Sequence, residues 1–70
     1  MNTVYTFLAD GFEEVEALAV VDLLRRASID VITVSITNTK EVTGAHKITV
    51  ITDTLINDID LNFADLIFLP

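Results

Sequence analysis

The chain has 70 residues, of which 51% are hydrophobic, and its four Lys+Arg and eleven Asp+Glu residues give a formal net charge of −7. This charge repels phosphate backbones and anionic lipids, so we expect neither nucleic acid nor a membrane as a partner. With no cysteine and one histidine, neither disulfides nor a metal site is expected to stabilise so short a chain. We therefore expect it to pack against the rest of a larger fold or against a second copy.

The sequence predicts a cytoplasmic protein. No basic residue precedes Arg25, and Asp10 interrupts the first apolar run, which is atypical of a secretory segment. The longest strongly apolar stretch, residues 17–24, contains Asp22 and is far shorter than a bilayer span.

The first half of the chain predicts a strand–helix–strand unit. Residues 4–9 are nearly continuously apolar and rich in β-formers, which is typical of a central parallel strand. A helix is expected over residues 11–27, and the β-branched run 31–36 is expected to form the second strand. Such a unit belongs to the α/β class and pairs its strands in parallel.

Charged residues mark both ends of the predicted helix. Asp10 followed by Glu13 matches a capping box, in which the two side chains bond the free N–H groups of the first turn. Arg25 and Arg26 suit the negative end of the helix dipole. A salt bridge from Asp22 to one of these arginines explains the acid within the apolar stretch.

The second half predicts a hairpin, an irregular segment and a strand. Residues 41–43 and 48–52 are β-rich runs around a loop containing Gly44, which is typical of an antiparallel excursion. Residues 53–64 have apolar positions at helical spacing but many Asn and Asp, so we predict a short irregular helix. Residues 65–69 predict a strand that is apolar on both faces.

The predicted helix is apolar around nearly its whole circumference. Between residues 17 and 24 only Asp22 is polar, so burial on more than one side is expected. One side should pack on the sheet, and the other should meet a second subunit or the rest of the fold. We predict a dimer interface at Val20, Val21 and Leu24.

Glu14 and Glu16 receive different interpretations. Glu14 is expected to be solvated. Glu16 heads a column of apolar positions at helical spacing, namely Val20, Leu23 and Ala27. A carboxyl group held in apolar surroundings favours its protonated form and can act as a general acid. An exposed glutamate on the helix face is the alternative.

The remaining polar residues carry weaker signals. His46 lies in a predicted loop, where an exposed polar residue is more common than a metal ligand or a base. The two glycines, Gly11 and Gly44, cannot form a phosphate-binding motif, so no nucleotide cofactor is expected. A phospho-acceptor receiver domain would suit Asp10 after the first strand, but Pro70 and not an aspartate follows the last strand.

Four segments together resemble a known family. They are FLADGFEEVEA at residues 7–17, VDLLRRA at 21–27, VTGAH at 42–46 and DLIFLP at 65–70. In order and spacing they are similar to the start of the ThiJ/PfpI family, the superfamily of the Parkinson's-associated protein deglycase. The resemblance implies a flavodoxin-like three-layer sandwich, usually dimeric. Residues 1–70 would then be the N-terminal part of a single domain, ending before its nucleophile.

The resemblance also implies roles for particular residues. The family carries a reactive cysteine on a strand-to-helix turn, downstream of the matched region. Glu16 falls on the family's glutamate that hydrogen-bonds this cysteine and lowers its pKa, which makes Glu16 the predicted catalytic residue. His46 falls near a position close to the active site and the dimer interface, and Gly11 would let the backbone approach the site. Leu69 and Pro70 match the stretch before a Gly-Gly pair that forms an oxyanion hole.

Two positions depart from the family pattern. Ser28 stands where relatives usually have a glycine at the helix end, and Lys47 replaces another common glycine. A residue other than glycine in a left-handed helix cap is strained by about 1 kcal/mol. We expect strain at these turns without a change of fold.

For the complete protein, the resemblance implies a cysteine-dependent enzyme acting on small reactive carbonyls such as glyoxals, hence a glyoxalase or deglycase. A non-catalytic redox sensor or chaperone using the same thiolate is an alternative, and protease activity and thiazole monophosphate synthesis are also attributed to relatives. No cofactor and no metal are expected. The expected partners are a second copy, the small carbonyl substrate and the remainder of the chain's own fold. The competing class is a small acidic dimerisation module without catalysis.

Overall fold

The computed structural model describes residues 3–70 as a parallel sheet, one helix and a separate hairpin. In chain order the elements are β1 (Thr3–Leu8), α1 (Glu14–Arg26), β2 (Asp30–Ser35), β3 (Glu41–Thr43), β4 (Thr49–Ile51), β5 (Thr54–Leu55) and β6 (Leu66–Phe68), with 3-10 turns at Ile56–Asp58 and Leu61–Phe63. Among the described residues, no helix has the length and apolar character needed to cross a membrane.

The sheet confirms the predicted α/β class. Its strand order is β5-β2-β1-β6, and all three pairings are parallel. In the central strand β1, Val4 is in register with Val31 of β2 on one side and with Leu66 of β6 on the other. The first apolar run therefore forms the central parallel strand, as predicted.

One face of the sheet is covered by α1. Val4 and Leu8 lie on this face, since alternate residues of a strand share a face. Val21 packs against Val4 and Val31, and Ala17 joins a second cluster around Leu8. Each fully buried aliphatic side chain of this kind contributes about 1.5–3 kcal/mol, so these clusters hold α1 on the sheet.

The β3–β4 hairpin is antiparallel, as predicted, with Val42 opposite Val50. Val42 is fully buried in the cluster that contains Leu8 and Ala17. The hairpin therefore packs on the same side as α1 and forms one structural unit with the first half of the chain.

The segment between the hairpin and β6 differs from the predicted irregular helix. It forms the two-residue strand β5 and two separate 3-10 turns. The Asp60 carboxylate accepts a hydrogen bond from the Asn62 N–H at 2.9 Å, a local bond that competes with helix formation. Strand β5 was not predicted because two residues carry no periodicity.

The strand at the end of the chain has the predicted position but not the predicted cover. In β6, Leu66 is 58% and Ile67 42% exposed, so this edge strand is open on both faces in the described part of the chain.

Ser28 and Lys47, which stand where relatives usually have glycine, both have a left-handed backbone, with φ of 64° and 67°.

Candidate functional site

The order of the strands places a candidate site at one edge of the sheet. The chain leaves β1 toward β2 on one side, whereas β6 lies on the other side of β1. The connection after β1 goes to one side and the chain later returns to the other side of β1, and in open α/β sheets ligands bind beyond the carboxyl ends of the strands where such a change of side occurs. Residues 9–13, which follow β1, and residues 69–70, which follow β6, border this edge.

The loop after β1 is bonded to the hairpin. The Gly11 N–H donates to the Thr43 carbonyl at 2.7 Å, and the Ala45 N–H donates to the Phe12 carbonyl at 2.8 Å. Gly11 has a φ of +89°, where side chains other than hydrogen are strained, yet an added Cβ would meet no atom within 4 Å. The glycine is thus required for its backbone conformation and not for space.

The predicted capping box is wrong. Helix α1 begins at Glu14, and its N-cap Glu13 makes no side-chain capping bond. The Asp10 carboxylate instead accepts from the Thr43 N–H at 3.1 Å. The physical reason is that Gly11 and Phe12 make backbone hydrogen bonds with the hairpin and Asp10 bonds it through its side chain, so the helix starts later than the sequence spacing indicates.

Glu14 is the residue that the sequence interpretation missed. It was expected to be solvated, but only 3% of it is exposed. One carboxylate oxygen accepts from the backbone N–H groups of His46 at 2.7 Å and Ile48 at 3.3 Å, and the other lies 2.9 Å from the His46 Nδ1. A Cβ added at the buried Gly44 would collide with this carboxyl group, so the glycine leaves the space that Glu14 fills.

Both partners of this pair have shifted pKa values. Burial alone would raise the pKa of Glu14, but hydrogen bonds from the His46 ring and from the backbone N–H groups of Glu14, His46 and Ile48 outweigh it and lower the pKa from 4.5 to about 2. The pKa of His46 is raised above 6.5 by its hydrogen bond to Glu14 and by the charges of Glu14 and Glu13, against a smaller effect of burial. Each group thus favours the charged form of the other.

The histidine and two glutamates also form a cluster of potential metal ligands. Glu13, Glu14 and His46 each offer one ligand atom, and these atoms lie within 4.8 Å of one another. The Glu14 oxygens, however, already accept hydrogen bonds from His46 and Ile48. We therefore interpret the cluster as a hydrogen-bonded Glu14–His46 pair with the Glu13 carboxylate beside it.

Glu16, the predicted catalytic residue, is exposed on α1. It lies in the first turn of the helix, because α1 begins at Glu14. Its side chain takes part in no hydrogen bond among the described residues, and Leu23 in its column is 64% exposed. An exposed helix-face glutamate, the alternative interpretation, describes it within this chain. The catalytic role implied by the resemblance stays a prediction.

The predicted interface residues occupy different depths. Val21 is 6% exposed and packs on the sheet, Leu24 packs beside it, and Val20 is half-buried. The outer surface of α1 presents Val15, 76% exposed, and Leu23 instead. The dimer itself stays a prediction.

A salt bridge crosses the exposed surface of α1. Arg26 Nε lies 3.0 Å from the Asp22 carboxylate, one helical turn away. The predicted partner of Asp22 is thus confirmed, and because both side chains are exposed the pair contributes little to stability.

The fold and the edge between β1 and β6 define a class, the open α/β proteins that bind ligands beyond the carboxyl ends of parallel strands. Comparison with known proteins identifies a family within this class. The profile of the DJ-1/PfpI family matches residues 2–70. Protein DJ-1 homolog B of Arabidopsis thaliana is 40% identical over 63 residues, which are 90% of this chain and 14% of the relative.

Solved structures agree with the sequence comparison. Toxoplasma gondii DJ-1 superimposes with a TM-score of 0.95 at 31% identity, over 100% of this chain and 38% of that one. Drosophila melanogaster DJ-1beta gives a TM-score of 0.92 at 28% identity, over 99% of this chain and 37% of that one. The chain belongs to the DJ-1/PfpI family and has its flavodoxin-like fold, which confirms the resemblance to the ThiJ/PfpI family. It spans only about a seventh of the plant relative and under two fifths of these solved structures.

Proposed function

We propose that the complete protein is a cysteine-dependent enzyme acting on small reactive carbonyls, a glyoxalase or deglycase of the DJ-1/PfpI type. This chain would supply Glu16, and the nucleophilic cysteine would come from outside it, since these residues include no cysteine. The observation that carries the proposal is the position of Glu16. Its exposed carboxyl group stands in the first turn of the helix that starts from the edge between β1 and β6.

A carboxyl group at this place suits thiol chemistry. A cysteine attacks as the thiolate, and a neighbouring protonated carboxyl group stabilises the thiolate by donating a hydrogen bond to its sulfur. The thiolate sulfur would then form a bond to the aldehyde carbon of a glyoxal as the carbonyl π electrons move to the oxygen, which takes up the carboxyl proton. Glu16 is free for this role because none of the hydrogen bonds in the described part of the chain engages its side chain.

The chain's exposed apolar surfaces support two partners. Ile67 and Leu66 on β6 are uncovered, and the remainder of the chain's own fold would pack there. On α1, Val15 and Leu23 lie eight residues apart on the outer surface, which suits a homodimer contact. A cytoplasmic location belongs to the same proposal.

A redox sensor is the second candidate. It is favoured by the Toxoplasma gondii relative, whose solved structure is of the oxidized protein. The same cysteine would react with an oxidant, and the protein would show no turnover of carbonyls. A non-catalytic acidic dimerisation module would use the α1 surface alone.

Steady-state turnover of methylglyoxal by the complete protein tests the proposal. We expect Glu16→Gln to lower kcat/KM by about 100-fold or more, the usual contribution of a general acid–base. Glu41→Gln is the matched control, because Glu41 is exposed and its side chain makes no hydrogen bond among residues 3–70. Equal turnover by wild type and Glu16→Gln would contradict the enzyme assignment of Glu16, and peroxide sensitivity without any turnover would favour the sensor.

A further inference from the structure

The buried carboxylate of Glu14 has no part in the function proposed above. It is the first residue of α1, and its side-chain hydrogen bonds to other residues of the 3–70 range all come from the loop between β3 and β4. A buried carboxylate that accepts several hydrogen bonds forms strong, charge-assisted contacts, and losing them leaves buried donors unsatisfied. Glu14 therefore joins two elements that are 32 residues apart in sequence.

The start of α1 depends on this connection. Its N-cap, Glu13, has an extended backbone and no side-chain capping bond, so the first turn is not fixed by its own cap. The loop before it is attached to the hairpin by the Gly11 and Ala45 backbone bonds. The hairpin thus holds the first turn from the loop side and, through Glu14, from within the helix.

We propose that Glu14 and His46 form a clip that positions the first turn of α1, and with it Glu16, and that this clip loosens when His46 loses its proton. Glu14 and His46 are positioning residues in this proposal. Only the part that concerns Glu16 rests on the proposed function. The attachment of the helix to the hairpin stands on the contacts alone.

The charges around His46 make the clip sensitive to pH. Glu13 and Glu14 face its ring from α1, at 3.9 and 2.9 Å from Nδ1. Lys47 adjoins it in its own loop, and Asp10 binds the same hairpin at the Thr43 N–H. A charged ring always donates from Nδ1 and adds an ion pair, whereas a neutral ring donates from that atom in only one tautomer. Loss of the proton therefore weakens the contact with Glu14.

Hydrogen exchange in the complete protein tests the attachment. The reporters are the amides of His46 and Ile48, which donate to Glu14, and that of Ala17, which donates to the Glu13 carbonyl inside the first turn at 2.9 Å. We expect Glu14→Gln to speed exchange of all three by about 10-fold or more. Glu41→Gln, the same change at an exposed position of the hairpin, should exchange like wild type. Unchanged exchange at Ala17 in Glu14→Gln would overturn the positioning of the first turn.

Two surface variants test the role of the histidine proton without disturbing the core, since the His46 side chain is 67% exposed. After correction for intrinsic base-catalysed exchange, wild type should lose protection at Ile48 as the pH rises through the pKa of His46. His46→Arg keeps a permanent charge and should stay protected across this range, whereas His46→Gln should exchange faster throughout. The same pH dependence in wild type and His46→Arg would overturn the proton-sensitive clip.

Turnover separates this inference from the proposed function. If Glu14→Gln loosens the first turn but keeps wild-type kcat/KM while Glu16→Gln loses it, the positioning of Glu16 is overturned and the enzyme proposal stands. If Glu16→Gln is fully active, the role assigned to Glu16 in the proposed function fails, and the exchange data still decide whether the clip holds the helix. A loss of kcat/KM in Glu14→Gln that His46→Arg does not share supports both.

Discussion

At the residue scale, Gly44 leaves the space that the buried Glu14 carboxyl group occupies. The glycine is buried, and any side chain at this position would displace the carboxyl group from its three donors. The Glu14–His46 pair therefore depends on the absence of a side chain at Gly44 as well as on its own two charged side chains. For this reason the sequence analysis named His46 as a candidate site residue but expected Glu14 to be solvated. A single glycine in a hairpin loop predicts a turn and does not indicate which side chain packs against it.

Substitution of Gly44 should be costly. We expect Gly44→Ala to lower the free energy of unfolding of the complete protein by about 1–3 kcal/mol, because the Cβ overpacks against a buried charged group. Chemical denaturation measures the change. Gly11→Ala is the comparison, since only backbone strain of about 1–2 kcal/mol applies there and the exchange of the His46 amide should stay slow. A Gly44→Ala variant with wild-type stability and a slowly exchanging His46 amide would contradict this packing.

The Glu14–His46 pair predicts a pH window for stability. The pKa of Glu14 is lowered to about 2, so its contribution is complete above 4.5 and is lost as the pH falls through about 2. The pKa of His46 is raised, so its contribution is complete below 6.5 and is lost as the pH rises through the raised value. The stability difference between wild type and His46→Gln should therefore be largest between pH 4.5 and 6.5. A difference that grows at alkaline pH would argue against the pair.

At the element scale, the long apolar segments were predictable and the short ones were not. Strands β1 and β2 and helix α1 were each expected, because their lengths, their β-branched content and the charged residues that bound them distinguish buried strands from a helix. The helix start was wrong by three residues because Asp10 bonds the hairpin, a tertiary contact with no local signal. Strand β5 exists only through its pairing with β2.

The two left-handed turns give a prediction for the elements they end. Ser28 follows α1. The Gly44 N–H donates to the Ile48 carbonyl, so residues 45–47 form a three-residue hairpin loop, and Lys47 occupies its last position, where glycine is common. We expect Ser28→Gly and Lys47→Gly each to stabilise the complete protein by about 0.5–1 kcal/mol in thermal or chemical unfolding. Ala27→Gly, one residue away at a φ of −83°, should destabilise it. Loss of stability in both glycine variants would show that these backbones are unstrained.

At the scale of the whole molecule, the chain leaves apolar surface uncovered where a larger assembly would cover it. Val15 and Leu23 on α1 and Leu66 on β6 are all more than half exposed. The sequence predicted this need for partners from its apolar composition. It predicted the dimer contact at Val20, Val21 and Leu24, of which Val21 and Leu24 pack on the sheet within this chain, because an all-round apolar helix does not reveal which side faces inward.

The exposed surface of α1 gives a test of the proposed dimer. We expect Leu23→Asp in the complete protein to weaken self-association by about 10-fold or more, measured by sedimentation over a range of concentrations. Ile51→Asp is the matched control, because Ile51 is 76% exposed and lies on the hairpin, not on α1. A Leu23→Asp variant as strongly dimeric as wild type would exclude this surface as the interface.

In the function proposed above, Glu16 donates a hydrogen bond to a cysteine thiolate carried by the rest of the fold. The most direct test is the pH titration of that thiol in the complete protein, followed by the ultraviolet absorbance of the thiolate, in wild type, Glu16→Gln and Glu41→Gln. We expect the thiol pKa to rise by about one unit or more in Glu16→Gln and to stay unchanged in Glu41→Gln. The same thiol pKa in all three proteins would contradict it.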